Sequence, residues 1–453
     1  MSKLIVLILA LGCMVGAIAL KATVPGPEDL GPQIAIENTV KSEDDIVNTG
    51  GAEVENRADT LPEDTLPENL QATTAPLILP DATPTPAVSP SDLDENNSGP
   101  ESAAESEIGQ ASEATRSEES QENPLSGVDA SQPLHKRVVI VDTHVETPLL
   151  ISEKQIKLRD NQGQVSLEKL RAGGVDVVFF SIFVNPYRYK KIAKSQADFI
   201  IKALKKELDA NQDWVELATS HADIQRIVKS GKIAALMGME GADPIEDSLN
   251  NLDYFYKQGV RYLGPTWSTH TLMADSSGQP KPRWKGLSKF GKMAVERMNK
   301  LGMLIDVSHL SDQAFYDVMK SSKQPVIATH SGVDGARNHA RNLSDDMLKL
   351  MSLNGGVVGI VFYPPHLESS GKATTESVVK HIDHAISVMG EDHVGIGSDF
   401  DGLDRPPPTG LKDASEMPNL VAALQKKGYN PTRIEKVLGG NFMRVFAEVL
   451  KTP

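Results

Sequence analysis

Six side chains of metal-ligating type stand at or just past the ends of apolar, β-branched runs. His144-Val145-Glu146 follows Val138–Val141, Glu240 follows Ile233–Met239, and His309 follows Met303–Val307. His330 follows Val326–Ala328, and Asp399 lies just after Val394–Ile396 in Gly397-Ser398-Asp399-Phe400-Asp401-Gly402. Neutral imidazoles with carboxylates are the donor set of a zinc site, with manganese or iron as alternatives. The single cysteine, Cys13, lies in the N-terminal apolar stretch, so a thiolate site or disulfide framework in the folded part is excluded. In an extended segment positions i and i+2 point the same way, so His144 and Glu146 are expected to face one ion. A hydrogen-bonded structural histidine accounts for any one of these positions, but not for the set.

For these side chains to meet, the runs that carry them must share one rim. From Gly302 to Ser331 the chain reads as strand, helix, strand. Met303–Val307 is followed by a helical segment with Ser311 as N-cap and Ala314, Phe315 and Val318 on one face, then by Pro325–Ala328. Such short connections favour a right-handed parallel βαβ unit. Further strand-like runs occur at Val175–Val184, Val260–Leu263 and Val357–Phe362, with helical patterns at Ile192–Leu208, Leu287–Leu301, Asp345–Leu353 and Val378–Met389. Eight strands alternating with helices predict an α/β fold, a (β/α)8 TIM-type barrel, whose active residues gather at the carboxyl ends of the strands. A doubly wound open sheet is the alternative, but Asp142-Thr143-His144 after the first strand is not a Gly-rich phosphate turn.

Ahead of this domain the chain changes character. Residues 1–22 hold an unbroken apolar run, Leu4–Leu20, behind Lys3, and are expected to act as a signal peptide or N-terminal membrane anchor. Residues 23–135 are expected to form a disordered acidic linker rich in Pro, Ser, Thr and Glu. Between Pro25 and Leu134 there is no aromatic residue, and DTLPE at Asp59–Glu63 recurs at Asp64–Glu68. That stretch holds 24 acidic and 3 basic residues, a balance of −21, which leaves +6 for the rest of a chain whose total is −15. The acidity therefore belongs to the linker, and without a basic cluster there is no case for nucleic acid. The expectation is an exported protein, periplasmic or at the cell surface, with the barrel (136–453) secreted or tethered to a membrane.

The motifs VDTHVETP (141–148), GKIAALMGMEGA (231–242), NKLGMLIDVSHLSD (299–312), PVIATHS (325–331), ARNLSD (340–345) and HVGIGSDFDG (393–402) run in order along the folded domain. On these the chain resembles the membrane (renal-type) dipeptidase family of binuclear zinc peptidases, in the amidohydrolase-like barrel group. The resemblance implies two Zn2+ ions per chain: His144 and Glu146 on one, His309 and His330 on the other, Glu240 bridging. It implies a hydroxide between the metals, and Asp399 as the group that takes the water proton and returns it to the leaving amine, with Asp401 as a nearby alternative. Arg341 would pair with the carboxylate of small peptide substrates. A homodimer is compatible with the family, though no residue here marks an interface.

Two departures stand out. Glu146 occupies a position where the family usually has aspartate, and Trp267 falls where the family's Thr-His pair places a substrate-binding histidine. His270, three residues on, is a candidate to replace it. These departures keep two other readings open: a related amidohydrolase acting on acyl amino acids or other small amides, and a catalytically weakened barrel that binds peptide or metal. Among the other histidines, His339 beside Arg341 is a candidate to touch substrate and the loop of His366, after Pro364-Pro365, a candidate to line the mouth, while His381 and His384 are expected on a solvated helix face.

Overall fold

The computed structural model describes residues 131–451; the expected apolar segment and the linker up to residue 130 lie outside them. Nine strands occur among the described residues: β1 (Ile140–Val145), β2 (Val175–Phe183), β3 (Val215–Leu217), β4 (Ile233–Glu240), β5 (Val260–Gly264), β6 (Leu304–Ile305), β7 (Ile327–Ser331), β8 (Val357–Ile360) and β9 (Val394–Ile396). All their pairings are parallel. One sheet runs β1-β2-β4-β5-β6 and a second runs β7-β8-β9. The short β3, absent from the sequence expectation, pairs with the first residues of β4 on the edge that β5 takes over from Met237 onward. The other eight strands form the ring of a (β/α)8 barrel.

Two seams close the ring. Between β6 and β7 there is only an isolated bridge, Asp306 with Ile327, and between β9 and β1 only Val145 with Phe400. At each seam a buried aspartate takes over the strand's work. Asp306 Oδ1 accepts from Ser308 N at 3.0 Å and from Thr329 N, across the seam, at 2.9 Å. Asp142 Oδ1 accepts from His144 N at 3.3 Å and, across the other seam, from Ser398 N at 2.9 Å. A fixed carboxylate here satisfies backbone donors that a regular ladder leaves to carbonyls.

Strand periodicity divides the core. Val177 and Phe179 of β2, Ala234 and Leu236 of β4, and Tyr262 of β5 point into the barrel, whose lower end is plugged by Phe442 and Phe446 of the helix Asn441–Val449. The alternate residues Val178, Phe180, Ala235 and Met237 face the outer helices. The inner row of β4 continues through Gly238 to Glu240, so the same period that packs Leu236 lifts the Glu240 carboxyl to the rim. Gly238 is required because Tyr262 lies against it: a Cβ there would come within 2.0 Å of the tyrosine ring. Gly238→Ala is expected to cost about 1–3 kcal/mol or more through overpacking, read as a lowered thermal midpoint.

The expected Ser311 cap forms, and two further helices are capped in the same way. Ser311 Oγ accepts from Ala314 N at the head of Asp312–Ser321, and Ser288 and Ser344 do the same for Lys289–Leu301 and Asp345–Leu353. His381 departs from its expected solvated face. It is fully buried, with Nδ1 accepting from Val333 N at 3.0 Å and Nε2 donating to the Leu367 carbonyl at 3.2 Å. From the helix Thr375–Met389 it thus satisfies two polar loop ends from inside. Among the described residues no helix is long and apolar enough to cross a membrane.

Candidate functional site

The six ligand-type side chains converge at the carboxyl-end rim. Donor atoms of His144, Glu146 and Glu240 lie within 4.8 Å of one another, as do those of Glu240, His309 and His330, and those of His144, His330 and Asp399. Glu240 is central. Its Oε2 is 3.3 Å from His144 Nε2, while its Oε1 is 2.9 Å from His309 Nε2 and 3.6 Å from His330 Nε2. Each carboxylate oxygen thus faces a different set of imidazoles.

The route by which His144 and Glu146 meet differs from the expected i, i+2 alternation. The β1–β2 register shifts between Asp142 and Val145, and Glu146 has left the strand to sit at the N-cap of Thr147–Lys154 with φ −97° and ψ 20°. A bulge re-aims one side chain and a helix start the other. His309 (φ 65°) and Asp399 (φ 64°) hold left-handed backbone conformations, which non-glycine residues adopt at a cost and which recur at functional sites.

Behind the donors stands a set of orienting groups. Tyr262 Oη is 2.8 Å from His144 Nδ1, and Ser181 Oγ donates to Glu240 Oε2 at 3.4 Å. Thr329 Oγ1 donates to Asp306 Oδ2 at 2.8 Å, so it is free to accept from His330 Nδ1, also at 2.8 Å. His330 is thereby set to carry its proton on Nδ1 and to present Nε2 as a lone pair, while Tyr262 holds the ring of His144 in place. Such outer partners fix ring orientation and ligand basicity. Thr329→Val keeps the shape but leaves His330 Nδ1 without an acceptor; metal affinity is expected to weaken by about 10- to 100-fold, as measured by chelator competition.

The electrostatics suit a cation. Burial raises the carboxyls of Glu146 and Asp399 well above the usual range and that of Glu240 to about 7. Burial likewise holds the imidazoles of His309 and His330 well below theirs. His144 Nε2 is buried with no hydrogen-bond partner, and His309 Nε2 and His330 Nε2 stand 3.0 Å apart. Converging lone pairs without a donor are what a divalent ion satisfies, and these nitrogen and oxygen donors fit zinc chemistry.

Above the donors lies a cavity of about 460 Å³, lined among others by Glu146, Glu240, His309, His330 and Asp399. Arg341, buried to 8% exposure, enters one wall. It donates to Ser331 Oγ at 2.8 Å and to the His330 carbonyl at 2.9 Å, and no carboxylate among the described residues forms an ion pair with it. His339, His366, Tyr363 and Trp267 also line the cavity. His270 does not. Its Nδ1 accepts from Ser276 N at 2.9 Å and its Nε2 donates to the Lys281 carbonyl at 2.8 Å, so both ring nitrogens are spent on the loop. Asp401 is likewise a loop residue, accepting from Thr147 Oγ1 and Gln164 N. Sequence reasoning missed Tyr262, Thr329 and Asp306. Thr329 and Asp306 sit one and three residues before the histidines His330 and His309, a spacing that carries the signal only once the strand ends are known.

Comparison with known proteins agrees with this geometry. Residues 128–452 match the family model for membrane dipeptidase, peptidase family M19. The chain is 36% identical over 300 residues to dipeptidase tcpJ of Claviceps purpurea, covering 64% of this chain and 70% of that protein. It is 35% identical over 321 residues to dipeptidase 3 of Rattus norvegicus, covering 68% and 65% respectively, so it spans about two thirds of these curated relatives. Among solved structures, a metallo peptidase from Rhodobacter sphaeroides liganded with a phosphinate mimic of L-Ala-D-Ala superposes with a TM-score of 0.65 at 28% identity, over 69% of this chain and 99% of that one. A match of that extent shows that the chain belongs to the membrane dipeptidase family, peptidase family M19.

Proposed function

We propose that this protein is a zinc-dependent dipeptidase that hydrolyses small peptides with a free carboxyl terminus. The observation that carries the reading is Glu240, whose two oxygens face separate imidazole sets in the manner of a bridging ligand. His144 and Glu146 would hold one zinc, His309 and His330 the other. Bound there, the pair of ions supplies Lewis acidity and makes a water acidic enough to attack at neutral pH. Asp399 takes the proton from that water and returns it to the leaving amine; its carboxyl lines the cavity beside the ligand cluster, 3.9 Å from His144 Nε2. Arg341, a buried guanidinium with no ion-pair partner among the described residues, receives the substrate carboxylate in its planar fork.

Residues 1–22 and 23–135 support a further part of the proposal: the barrel works outside the cytoplasm, secreted or held off a membrane by the acidic linker. The test of the reading is the zinc content of natively purified protein together with hydrolysis of Gly-D-Ala and Gly-L-Ala. Two zincs per chain are expected, with turnover lost on chelation and restored by zinc. Turnover indifferent to a chelator sinks the proposal. Hydrolysis confined to acyl amino acids or other small amides supports the second reading, which Trp267 on the cavity wall favours.

A further inference from the structure

The cavity has two unlike poles. At one, Arg341 is anchored on the end of β7 through Ser331 Oγ and the His330 carbonyl. In the ring β1-β2-β4-β5-β6-β7-β8-β9, β7 stands four strands from β2 on either path, diametrically across the barrel. What β2 delivers there is Phe183, in register with Glu240 of β4 and lining the cavity. Trp267, on the loop after β5, packs on it with ring centroids 4.9 Å apart, and Tyr187 meets Trp267 edge-on at 6.2 Å. Two aromatic rings of the cavity wall, Phe183 and Trp267, therefore stand across the metal-ligating cluster from Arg341, with Tyr187 against Trp267 at the rim.

This wall is held in place. Ser276 Oγ donates to the Trp267 carbonyl at 2.5 Å, and Ser276 N is itself bound by His270 Nδ1, whose Nε2 donates to the Lys281 carbonyl. The rings are also incompletely covered: Trp267 is half-buried and Tyr187 is 77% exposed at the rim. An exposed aromatic beside a ligand cavity is a surface that gains from being covered by apolar atoms.

We infer that Phe183, Trp267 and Tyr187 form a specificity wall for the amino-side residue of the substrate, and that this residue is large and apolar, aromatic above all. The inference rests on the dipeptidase reading. With the carboxylate on Arg341 and the scissile carbonyl over Glu240, the line between them runs on toward β2, and the two residues of a dipeptide span about 7 Å. The carboxyl-side residue lies instead among Arg341, His339, His366 and Tyr363, a more polar neighbourhood with one phenol ring.

The test is kcat/KM for Gly-Ala, Leu-Ala, Phe-Ala and Ala-Phe with the zinc-loaded full chain, its Trp267→Ala variant and its Trp267→Phe variant. Phe-Ala is expected to exceed both Gly-Ala and Ala-Phe by about tenfold. In Trp267→Ala the Phe-Ala to Gly-Ala ratio should fall towards one, chiefly through KM, while Trp267→Phe, which keeps a ring, retains most of the preference. A ratio unchanged in Trp267→Ala, or a preference for Ala-Phe, overturns the wall. If none of the four peptides is hydrolysed, the dipeptidase reading falls, and calorimetric Kd values for the same peptides decide the inference instead. Phe-Ala binding about tenfold tighter than Gly-Ala, with the difference lost in Trp267→Ala, upholds it; equal affinities overturn it.

Discussion

Glu240→Ala is expected to remove bound metal and peptide turnover together, with kcat/KM falling by at least about 10³-fold. The magnitude follows from position. Among the described residues Glu240 is the one carboxylate within 3.6 Å of the Nε2 atoms of His144, His309 and His330 alike. Without it each of the two proposed ions would lose a charged ligand and the pair its bridge. Elemental analysis and turnover on the same preparation check this, and retention of two zincs by the variant contradicts the bridging role. The variant should still fold, because the substitution removes a buried acid that the metal-free barrel must keep protonated. In metal-free protein the rise of the Glu240 pKa from 4.5 to about 7 means that the folded state binds the extra proton, so its contribution to stability falls as pH rises through that window. In Glu240→Ala that part of the decline disappears, which denaturant unfolding at several pH values detects.

Asp399→Asn separates proton transfer from metal binding. A loss of about 10²- to 10⁴-fold in kcat is expected, with both ions retained and KM little altered. Asparagine is the appropriate replacement because it keeps the side-chain outline and tolerates the left-handed backbone that residue 399 adopts at φ 64°. It can also preserve the backbone bond from residue 399 to the His144 carbonyl, 3.0 Å in the parent. What it loses is the ability to hold a proton. Asp399 also stands 3.9 Å from His144 Nε2, so a role as ligand makes a different prediction: one zinc lost rather than two kept. The metal count of this variant decides between them.

Much of this site is legible in the sequence because strand ends are legible. Apolar β-branched runs with His, Glu or Asp at their carboxyl ends place Glu240, His330 and Asp399 on one rim once a barrel is assumed, and the inner-row period through Leu236 and Gly238 agrees for Glu240. His144 and Glu146 meet for reasons that alternation does not contain, a register shift and a helix start. His270 reads either as a substrate ligand, from its place near Trp267, or as a polar loop residue, and its hydrogen bonds to Ser276 and Lys281 agree with the second; only three-dimensional placement shows which way a loop histidine turns. Tyr262 is hidden for the opposite reason, since a tyrosine in an apolar strand reads as packing until Gly238 is seen to make room for it. His381 illustrates the same limit, a helical histidine turned inward to satisfy loop ends.

The two seams have a consequence for how the molecule holds together. The donors are divided between the sheets: His144, Glu146, Glu240 and His309 belong to the strands and strand ends of the six-stranded sheet, His330 and Asp399 to the three-stranded one. An ion shared by His309 and His330, as proposed, would therefore act as a clasp across the gap between β6 and β7, where the backbone supplies little. Its binding energy counts toward keeping the halves closed, as for any ligand that binds only the folded form. Without metal the seams rest on Asp142, Asp306 and the few backbone bonds that cross them, so faster amide exchange on metal removal is expected first in the β7-β8-β9 leaf.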